Sequence, residues 1–446
     1  MMIHTDIPVS SYEEAVRYLL EIPYFTKKND LAAIVRILEL LGHPERFFDV
    51  IHVAGTNGKG STCAFLERIF REEGKRTGLF TSPHLVRINE RMRVLGTQIP
   101  DAAFLESFRR VREAVRIHLK EGGRELTFFE AVFAMGMCWF QEEKIDLLIC
   151  ETGLGGRLDA TNTIEKALAE VITSISLDHT RYLGDTVEQI AFEKAGIIRR
   201  RVPCIYSAKD PGSARVIREV CARMEAEPVP LEPDRYEIRG RQDGALLVRL
   251  APYREEALDL RVPFAAQYQA ENACLAALGA LRLGARKGAV VSGIAHTTWP
   301  GRMEEISRDV FLDGAHNPDG IREIAREIRR IAKTRRVSLV TAIVSDKDYQ
   351  TMVRELCRDV AYKCVTVTEA GGRRKMDPEE LAAAFRAAGQ KTVRIWPDAQ
   401  EAYLKAKKER GESVLFCVGS LYLIGEIQHA ELRRRTEEVS SEHGCE

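Results

Sequence analysis

The stretch HVAGTNGKGST near the N-terminus contains residue types that could bind a phosphate. Lys59 stands between Gly58 and Gly60, after a predicted buried strand and before a predicted helix that begins near Ser61. Backbone N–H groups at such a helix start converge on an anion, and the lysine would meet the outer phosphates of a nucleotide. The spacing departs from the usual phosphate loop, because Gly55 lies three residues before Gly58 and Gly60 replaces a hydroxyl residue. A tight turn without a ligand is the alternative.

A second glycine-rich stretch, ETGLGGRLDATN, follows another predicted strand and could bind a dinucleotide. Gly153 and Gly155 fit that fingerprint, but Leu158 stands where the third glycine or alanine belongs, which weakens this interpretation. Glu151 lies at the carboxyl end of the strand, where parallel-sheet proteins bind their ligands, and is a candidate magnesium ligand. A solvated acid at the strand end is the other interpretation of Glu151.

Two further residues stand out, a histidine that could bind a metal ion and a lysine in an apolar setting. His179 follows Asp178 at the end of another predicted strand, although a lone histidine is more often structural. Lys194 lies on a predicted helix in a setting that is unusually apolar for a lysine, and its amine is either modified or paired, or reaches solvent. The apolar residues around it in the sequence are Ala191, Phe192, Ala195 and Ile197.

Polar clusters also mark a loop and the second half of the chain. The stretch TSPHLVRINERMRV, which includes Ser82, is too polar for a core strand and suits a loop over a charged ligand, or a solvated loop. LDGAHNP places Asp313 and His316 between a strand and a helix that can begin at Pro318, and Arg302 precedes them. These residues are candidates for a second set of ligand contacts.

Short apolar runs, each followed by a turn and a helical pattern, predict parallel sheets covered by helices. We expect an α/β protein with a P-loop-type ATPase domain over residues 1–298 and a smaller Rossmann-like domain over residues 299–446. Asp243-Gly244, flanked by alternating apolar positions, predicts an antiparallel hairpin over residues 235–250. The charged tail from about residue 430 is expected to fray.

The composition of the 446-residue chain disfavours several classes of protein. Lys plus Arg and Asp plus Glu both number 66, so no global field favours nucleic acid or an anionic membrane. No apolar run approaches the roughly 20 residues of a membrane helix, and no secretory signal is recognisable. The ten cysteines lack a Cys-x-x-Cys motif, and several lie in apolar runs. We expect a cytoplasmic protein with reduced core cysteines that acts on small molecules.

Taken together, the motifs resemble the folylpolyglutamate synthase and dihydrofolate synthase family, a branch of the Mur ligases. The resemblance runs from about residue 10 to 427. The strings that carry it, in order, are HVAGTNGKGST, TSPHLVRINER, LTFFEAVFAM, ETGLGGRLDATN, TSISLDHTRYLGDTVEQIAFEKAGI, YQAENA, WPGR, LDGAHNP, DKD and GSLYLIGE.

This resemblance implies an ATP-dependent ligase that adds L-glutamate to dihydropteroate and to reduced folates. A substrate carboxylate would attack the γ-phosphate of ATP, and the glutamate amine would displace phosphate from the acyl phosphate. The implied cofactors are two Mg²⁺ ions, with a monovalent cation as a further candidate, and ATP is the co-substrate. We expect small-molecule partners, without nucleic acid or membrane, and a monomer.

The resemblance also implies a role for individual residues. The nucleotide contacts would be Thr56, Asn57, Gly58, Lys59, Gly60, Ser61, Asn272, Arg302, Asp313 and His316. The metal positions would be Ser82, Glu151, His179 and Lys194, with Lys194 carbamylated, and Lys59, Glu151, His179 and Lys194 would be catalytic. The pterin or folate would lie near Thr127, Phe128, Phe129, Glu130, Leu158, Asp159 and Ala160. The aromatic rings of the two phenylalanines can stack on a flat heterocycle.

Three alternatives stay open at this point. The chain could only extend folate tails, although its intact RLDATN resembles members that also make dihydrofolate. A Mur-type ligase for a cell-wall nucleotide peptide would lack RLDATN and TSPHLVRINER. A nucleotide-binding regulatory protein would not need Glu151, His179 and Lys194 together.

Overall fold

The computed structural model describes residues 9–22, 30–252, 256–369, 372 and 374–442. The chain divides into two compact units. Unit 1 comprises Met1–His84, Ile88–Pro263 and Gln269–Thr298, and unit 2 comprises Leu85–Arg87, Phe264–Tyr268 and Trp299–Glu446. The long stretch of unit 2 therefore begins at Trp299, and two short earlier segments group with it.

Unit 1 is built on a sheet that has eight strands among the described residues. They are β1 (Asp49–Ala54), β2 (Thr77–Phe80), β3 (Met92–Val94), β4 (Thr97–Gln98), β5 (Leu147–Glu151), β6 (Ala169–Ile172), β7 (Cys204–Ser207) and β8 (Pro228–Leu231). Their order is β4-β3-β2-β5-β1-β6-β7-β8. The strands from β2 to β8 in this order are parallel, and β3 and β4 form an antiparallel edge. Strand β1 is central and buried after its first residue, as the continuous apolar run predicts.

Helices connect and cover these strands. The described α-helices of unit 1 are α1 (Tyr12–Glu21), α2 (Ala32–Leu40), α3 (Lys59–Glu72), α4 (Asp101–Lys120), α5 (Phe128–Glu142), α6 (Thr180–Leu183), α7 (Val187–Ala195), α8 (Pro211–Arg223), α9 (Tyr268–Arg282) and α10 (Lys287–Ala295). The first residue of α9, Tyr268, groups with unit 2. The apolar face predicted for α4 packs into the core, where Phe104, Phe108 and Val111 are buried.

A small antiparallel sheet lies between α8 and α9 in the chain. It contains β9 (Tyr236–Gln242), β10 (Ala245–Leu250) and β11 (Leu258–Val262), in the order β11-β10-β9. The predicted hairpin is confirmed, because Asp243 and Gly244 form its turn with φ of 49° and 74°. The third strand was not predicted, since a charged stretch separates it from β10 in the sequence.

Unit 2 contains a second, smaller sheet. Its described strands are β12 (Arg302–Ser307), β13 (Val310–Asp313), β14 (Val337–Thr341), β15 (Val365–Val367), β16 (Val393–Ile395) and β17 (Val414–Val418). Their order is β12-β13-β17-β14-β15-β16, parallel except for the β12–β13 pair. The helices of this unit are α11 (Pro318–Ala332), α12 (Tyr349–Cys357), α13 (Pro378–Ala387), α14 (Ala399–Glu409) and α15 (Leu421–Glu442). Both sheets confirm the predicted α/β class.

Three sequence expectations concern the rest of the chain. The charged tail lies on α15, which continues to Glu442, and its fraying stays a prediction; residues 443–446 lie outside the described part. Cysteines 63, 138, 150, 274 and 417 are buried, as expected of core residues, and Cys445 is outside the described residues. None of the described helices combines the length and apolar character that crossing a membrane requires.

Candidate active site

The predicted phosphate loop joins the end of β1 to the start of α3. Helix α3 begins at Lys59, directly after Gly58, whose φ of 88° is in the left-handed region. A Cβ at Gly58 would overlap the side-chain oxygen of Asn272, and a Cβ at Gly55 would overlap Thr173 Oγ1. Both glycines therefore stand where a larger residue would collide with a neighbouring segment.

Residues 173–176, which follow β6, hold this loop in shape. The Thr56 amide donates to the Ser174 carbonyl at 2.8 Å, and the Thr173 hydroxyl donates to the Asn57 carbonyl at 2.6 Å. The Thr56 hydroxyl donates to the Ser176 carbonyl at 3.1 Å. Held by these hydrogen bonds, the loop leads into a 14-residue helix whose first amides form an anion-binding end.

Glu151 connects two of the other predicted residues. It is the last residue of β5 and pairs with Val53 of β1, next to the loop. Its Oε1 lies 3.9 Å from Lys59 Nζ, and its Oε2 accepts from the Ser82 amide at 3.0 Å. The Glu151 side chain is 4% exposed and that of Lys59 17%. The structure thus brings Lys59, Ser82 and Glu151 together at the carboxyl edge of the sheet.

Lys194, on α7, also reaches the loop. Its Nζ donates to the Gly55 carbonyl at 2.6 Å, and the residue is buried. Burial, together with the positive charge of Lys59, lowers the pKa of Lys194 to about 7. Of its predicted apolar neighbours, Ala191, Ala195 and Ile197 are buried, but Phe192 is exposed and does not enclose the amine.

His179 precedes α6 in a left-handed conformation with φ of 51°. Its amide donates to Asp178 Oδ1 at 2.8 Å, and its Nε2 lies 3.9 Å from Asp178 Oδ2. Within the described residues, no group of three or more His, Cys, Asp or Glu side chains could hold a metal ion. The predicted metal set differs from such a group, since it contains one acid, one hydroxyl, one imidazole and one lysine that would gain an anionic group by carbamylation.

Helix α9 contributes Gln269, a residue that was not among the predicted site residues. Gln269 Nε2 donates to Ser61 Oγ at 3.1 Å, and Gln269 Oε1 accepts from Asn272 Nδ2 at 3.0 Å. All three residues are buried. Because Gln269 lies three residues before Asn272, the two share one helix face, and that spacing could have identified it.

The predicted acceptor residues fall on two segments that meet. Thr127 and Glu130 form a capping box at the start of α5, and Glu130 pairs with Arg124 at 2.6 Å. Phe128 is buried, whereas Phe129 is half-buried and lies against the second segment, since a Cβ at Gly153 would be 2.7 Å from its ring. The aromatic residues of α5 thus meet the glycine-rich turn after β5.

Asp159 anchors that second segment. Its Oδ2 accepts from the amides of Gly153 and Leu154 at 2.9 and 2.8 Å, and its Oδ1 accepts from the amide and hydroxyl of Thr161. The carboxylate is buried, Ala160 beside it is buried, and Leu158 is half-buried. These hydrogen bonds of Asp159 therefore shape its own loop.

In unit 2, the predicted residues cluster around Asp313 at the end of β13. The buried carboxylate accepts from the Tyr268 hydroxyl at 2.6 Å, from the Met303 amide and from the Ala315 amide, both at 2.9 Å. Burial raises the pKa of Asp313. Arg302 of β12 is opposite Asp313 of β13 in the strand register, and His316 Nδ1 lies 2.8 Å from the Gly314 carbonyl. Tyr268 was not predicted, because only the fold brings it beside a residue 45 positions away.

Comparison with known proteins assigns the family. Residues 53–280 match the Mur ligase middle domain, and residues 301–421 match the Mur ligase, glutamate ligase domain. A dihydrofolate synthase/folylpolyglutamate synthase of Bacillus subtilis is 33% identical over 435 residues, which are 94% of this chain and 99% of that protein. The chain belongs to the dihydrofolate synthase/folylpolyglutamate synthase family of Mur ligases.

Solved structures of this family have the same fold. Mycobacterium tuberculosis folylpolyglutamate synthase complexed with ADP and AMPPCP matches with a TM-score of 0.85 at 29% identity, over 94% of this chain and 98% of that chain. Escherichia coli FolC in complex with DHPP and ADP matches with a TM-score of 0.83 at 30% identity, over 96% of this chain and 100% of that chain. The protein is thus a Mur-type ATP-dependent ligase, as the motifs predict.

Proposed function

We propose that this chain adds L-glutamate to dihydropteroate and to reduced folates at the expense of ATP. The names of the Bacillus subtilis relative and of the solved structures support this assignment. The observation that carries it is the convergence of Lys59, Glu151 and Lys194 on the loop after β1. A binding protein without catalysis would not need a buried lysine and a buried acid beside a phosphate loop.

The reaction follows from what these residues can do. A carboxylate oxygen of the acceptor attacks the γ-phosphorus of ATP, the bond to ADP breaks, and an acyl phosphate forms. The glutamate amine then attacks the acyl carbon, phosphate leaves, and the amine loses a proton. Phosphoryl transfer depends on positioning and charge neutralisation, which Lys59 and the first amides of α3 provide at the loop.

A magnesium site fits the residues present, and we assign its ligands to Ser82, Glu151, His179 and Lys194. Glu151 supports this choice because its carboxylate is buried, accepts from the Ser82 amide and has Lys59 3.9 Å away. When bound, Mg²⁺ would neutralise charge on the transferred phosphoryl group. A second Mg²⁺ ion and a monovalent cation belong to the same proposal.

We further propose that Lys194 is carbamylated. Carbon dioxide reacts with a neutral amine: a C–N bond forms and a proton leaves, which gives an anionic carbamate. A lysine pKa of about 7 leaves much of the amine neutral at physiological pH. The carbamate would give the four assigned ligands a second carboxylate-like group in addition to the carboxylate of Glu151.

The remaining residues are assigned to substrates. The loop residues Thr56 to Ser61 and Asn272 would contact ATP, as would Arg302, Asp313 and His316 of unit 2. Phe128, Phe129 and their neighbours Thr127, Glu130, Leu158, Asp159 and Ala160 would form the site for the pterin end. We also assign the protein to the cytoplasm, as a monomer that uses small-molecule substrates. Its formal net charge of zero supports the assignment of partners without nucleic acid or a membrane.

One assay tests the proposed function. ADP release is measured with ATP, Mg²⁺ and L-glutamate, with either dihydropteroate or tetrahydrofolate as acceptor. We expect glutamate-dependent release with both acceptors. Release with tetrahydrofolate alone would indicate an enzyme that only extends folate tails, and release with neither acceptor would contradict the assignment.

A further inference from the structure

A hydrogen-bond chain of buried polar side chains supports the acceptor loop, which we define as residues 153–164. The proposed reaction does not use this hydrogen-bond chain. It runs from Arg199 through His52 and Thr161 to Asp159. His52 and Thr161 are fully buried, Asp159 is 5% exposed, and Arg199 is half-buried. Buried polar groups cost free energy unless they are hydrogen-bonded, so such a connected set stabilises one arrangement of its surroundings.

The directions of these hydrogen bonds follow from the hydrogens that each group has. Asp159 already accepts from three backbone amides, so the Thr161 hydroxyl donates its single hydrogen to Asp159 Oδ1, at 2.5 Å. Thr161 must then accept from His52 Nε2, which is 2.8 Å away. This assigns the hydrogen of His52 to Nε2 and leaves Nδ1 to accept from Arg199 Nη1 at 3.4 Å. A neutral imidazole agrees with the pKa of His52, which burial and the Arg199 charge lower well below its usual range.

Both ends of this hydrogen-bond chain bind the acceptor loop. Asp159 binds the loop's start through the amides of Gly153 and Leu154. Arg199 binds its end, since Nη2 donates to the Ile164 carbonyl and to Asn162 Oδ1, the latter at 3.2 Å. The loop is therefore tied at two points to one set of side chains.

The same side chains are fixed on the central sheet. His52 lies on β1, and Arg199 pairs at 3.5 Å with Glu170 of β6, which is fully buried. The predicted phosphate loop after β1, which we call the ATP loop, is held separately, by the hydrogen bonds of Thr56 and Asn57 to residues 173–176. The two loops thus have different supports, although both extend from the same sheet.

We propose that His52 and Arg199 are positioning residues that hold the acceptor loop in the shape that binds the pterin end of the substrate. This inference rests on the proposed function of the loop. The two residues act through Thr161 and Asp159 and touch no reacting atom. Loss of the hydrogen-bond chain weakens acceptor binding and leaves ATP binding unchanged, because the ATP loop keeps its own hydrogen bonds.

The test uses the full-length enzyme with three substitutions. Thr161→Val keeps the side-chain shape and removes the hydroxyl, His52→Leu removes both ring nitrogens, and His52→Gln keeps an N–H near the position of Nε2. We expect Thr161→Val and His52→Leu to raise KM for dihydropteroate about tenfold, as one lost buried hydrogen bond of about 1.4 kcal/mol predicts. KM for ATP should stay within about twofold, and His52→Gln should recover most of the loss.

Hydrogen exchange of the acceptor loop gives a measurement that does not depend on activity. The amides of Gly153 and Leu154 should exchange faster in Thr161→Val than in the wild type. Unchanged exchange, an equal rise of both KM values, or a lower Tm with unchanged KM values would each overturn the positioning role. If the wild-type enzyme used neither dihydropteroate nor tetrahydrofolate, the proposed function would fail, whereas hydrogen exchange would still report on the hydrogen-bond chain.

Discussion

The amine of Lys194 donates a 2.6 Å hydrogen bond to the backbone carbonyl of Gly55, 139 residues away in the sequence. This contact places a buried lysine, whose pKa is lowered to about 7, directly against the ATP loop. A lysine in this position can be neutral at physiological pH, and the hydrogen bond to Gly55 makes it part of the loop's support.

Lys194→Ala should abolish glutamate-dependent phosphate release while the protein stays folded, because the substitution removes the amine that we propose is carbamylated. Phosphate release and the far-UV circular dichroism spectrum provide the two measurements. Lys209→Ala, which removes a half-exposed lysine that pairs with Glu271 at 3.8 Å, is the matched control and should retain activity. Wild-type turnover of Lys194→Ala would disprove the carbamate.

Gly58→Ala should raise KM for ATP at least tenfold, because the new Cβ would overlap Asn272 and the residue has a φ of 88°. Gly74 has a similar φ of 82°, but a Cβ added there would have no neighbouring atom within 4 Å. Gly74→Ala should therefore cost only about 1 kcal/mol of stability through backbone strain, without changing KM for ATP. The same KM in both variants would contradict the packing argument.

Gln269→Ala should lower kcat/KM for ATP about tenfold, because it removes the hydrogen bond that orients the Ser61 hydroxyl and leaves Asn272 without its acceptor. Steady-state kinetics at varied ATP concentration measures this effect. The exposed Gln267 provides the control, and Gln267→Ala should match the wild type. An unchanged kcat/KM in Gln269→Ala would show that Ser61 needs no support from α9.

Glu170 should make stability depend on pH. Burial raises its pKa to about 8 from 4.5, and its Oε2 is buried without a hydrogen-bond partner among the described residues. A raised pKa in the folded state adds stability below the unfolded-state pKa, and this stability is lost as pH rises through about 8. Between pH 4.5 and about 8, the unfolding free energy of the wild type should fall relative to that of Glu170→Gln by up to about 1.4 kcal/mol per pH unit.

Thermal unfolding of wild type and Glu170→Gln from pH 5 to pH 8.5 checks this expectation. The Tm of the wild type should fall relative to that of the variant as pH increases, since the glutamine does not titrate. A Tm difference that is constant with pH would mean that Glu170 is ionised in the folded protein throughout, stabilised by Arg199.

Local features of the sequence predicted the parts of the fold and site that depend on neighbouring residues. The apolar run of β1, the glycines after it and the start of α3 are contiguous, so spacing alone predicted a helix start near Ser61, two residues after its observed start at Lys59. The turn at Asp243-Gly244 is similarly local. Motifs in a fixed order then identified the family.

Other features depend on contacts that spacing does not encode. The resemblance assigned Asp159 to the substrate site, but it did not show that the Asp159 carboxylate accepts from backbone amides of its own loop, because backbone donors are invisible in a residue list. The hydrogen bond from Gln269 to Ser61 spans 208 positions. His52 lies in the motif HVAGTNGKGST, but only the fold shows that it bonds to Thr161.

The central claim, activation of an acceptor carboxylate by phosphorylation, has a direct test. Dihydropteroate labelled with ¹⁸O in both carboxylate oxygens is incubated with the enzyme, ATP, Mg²⁺ and L-glutamate, and the released phosphate is analysed by mass spectrometry. We predict one ¹⁸O atom in each phosphate, because the attacking carboxylate oxygen leaves with the phosphoryl group. Product formation with unlabelled phosphate would contradict the acyl-phosphate mechanism.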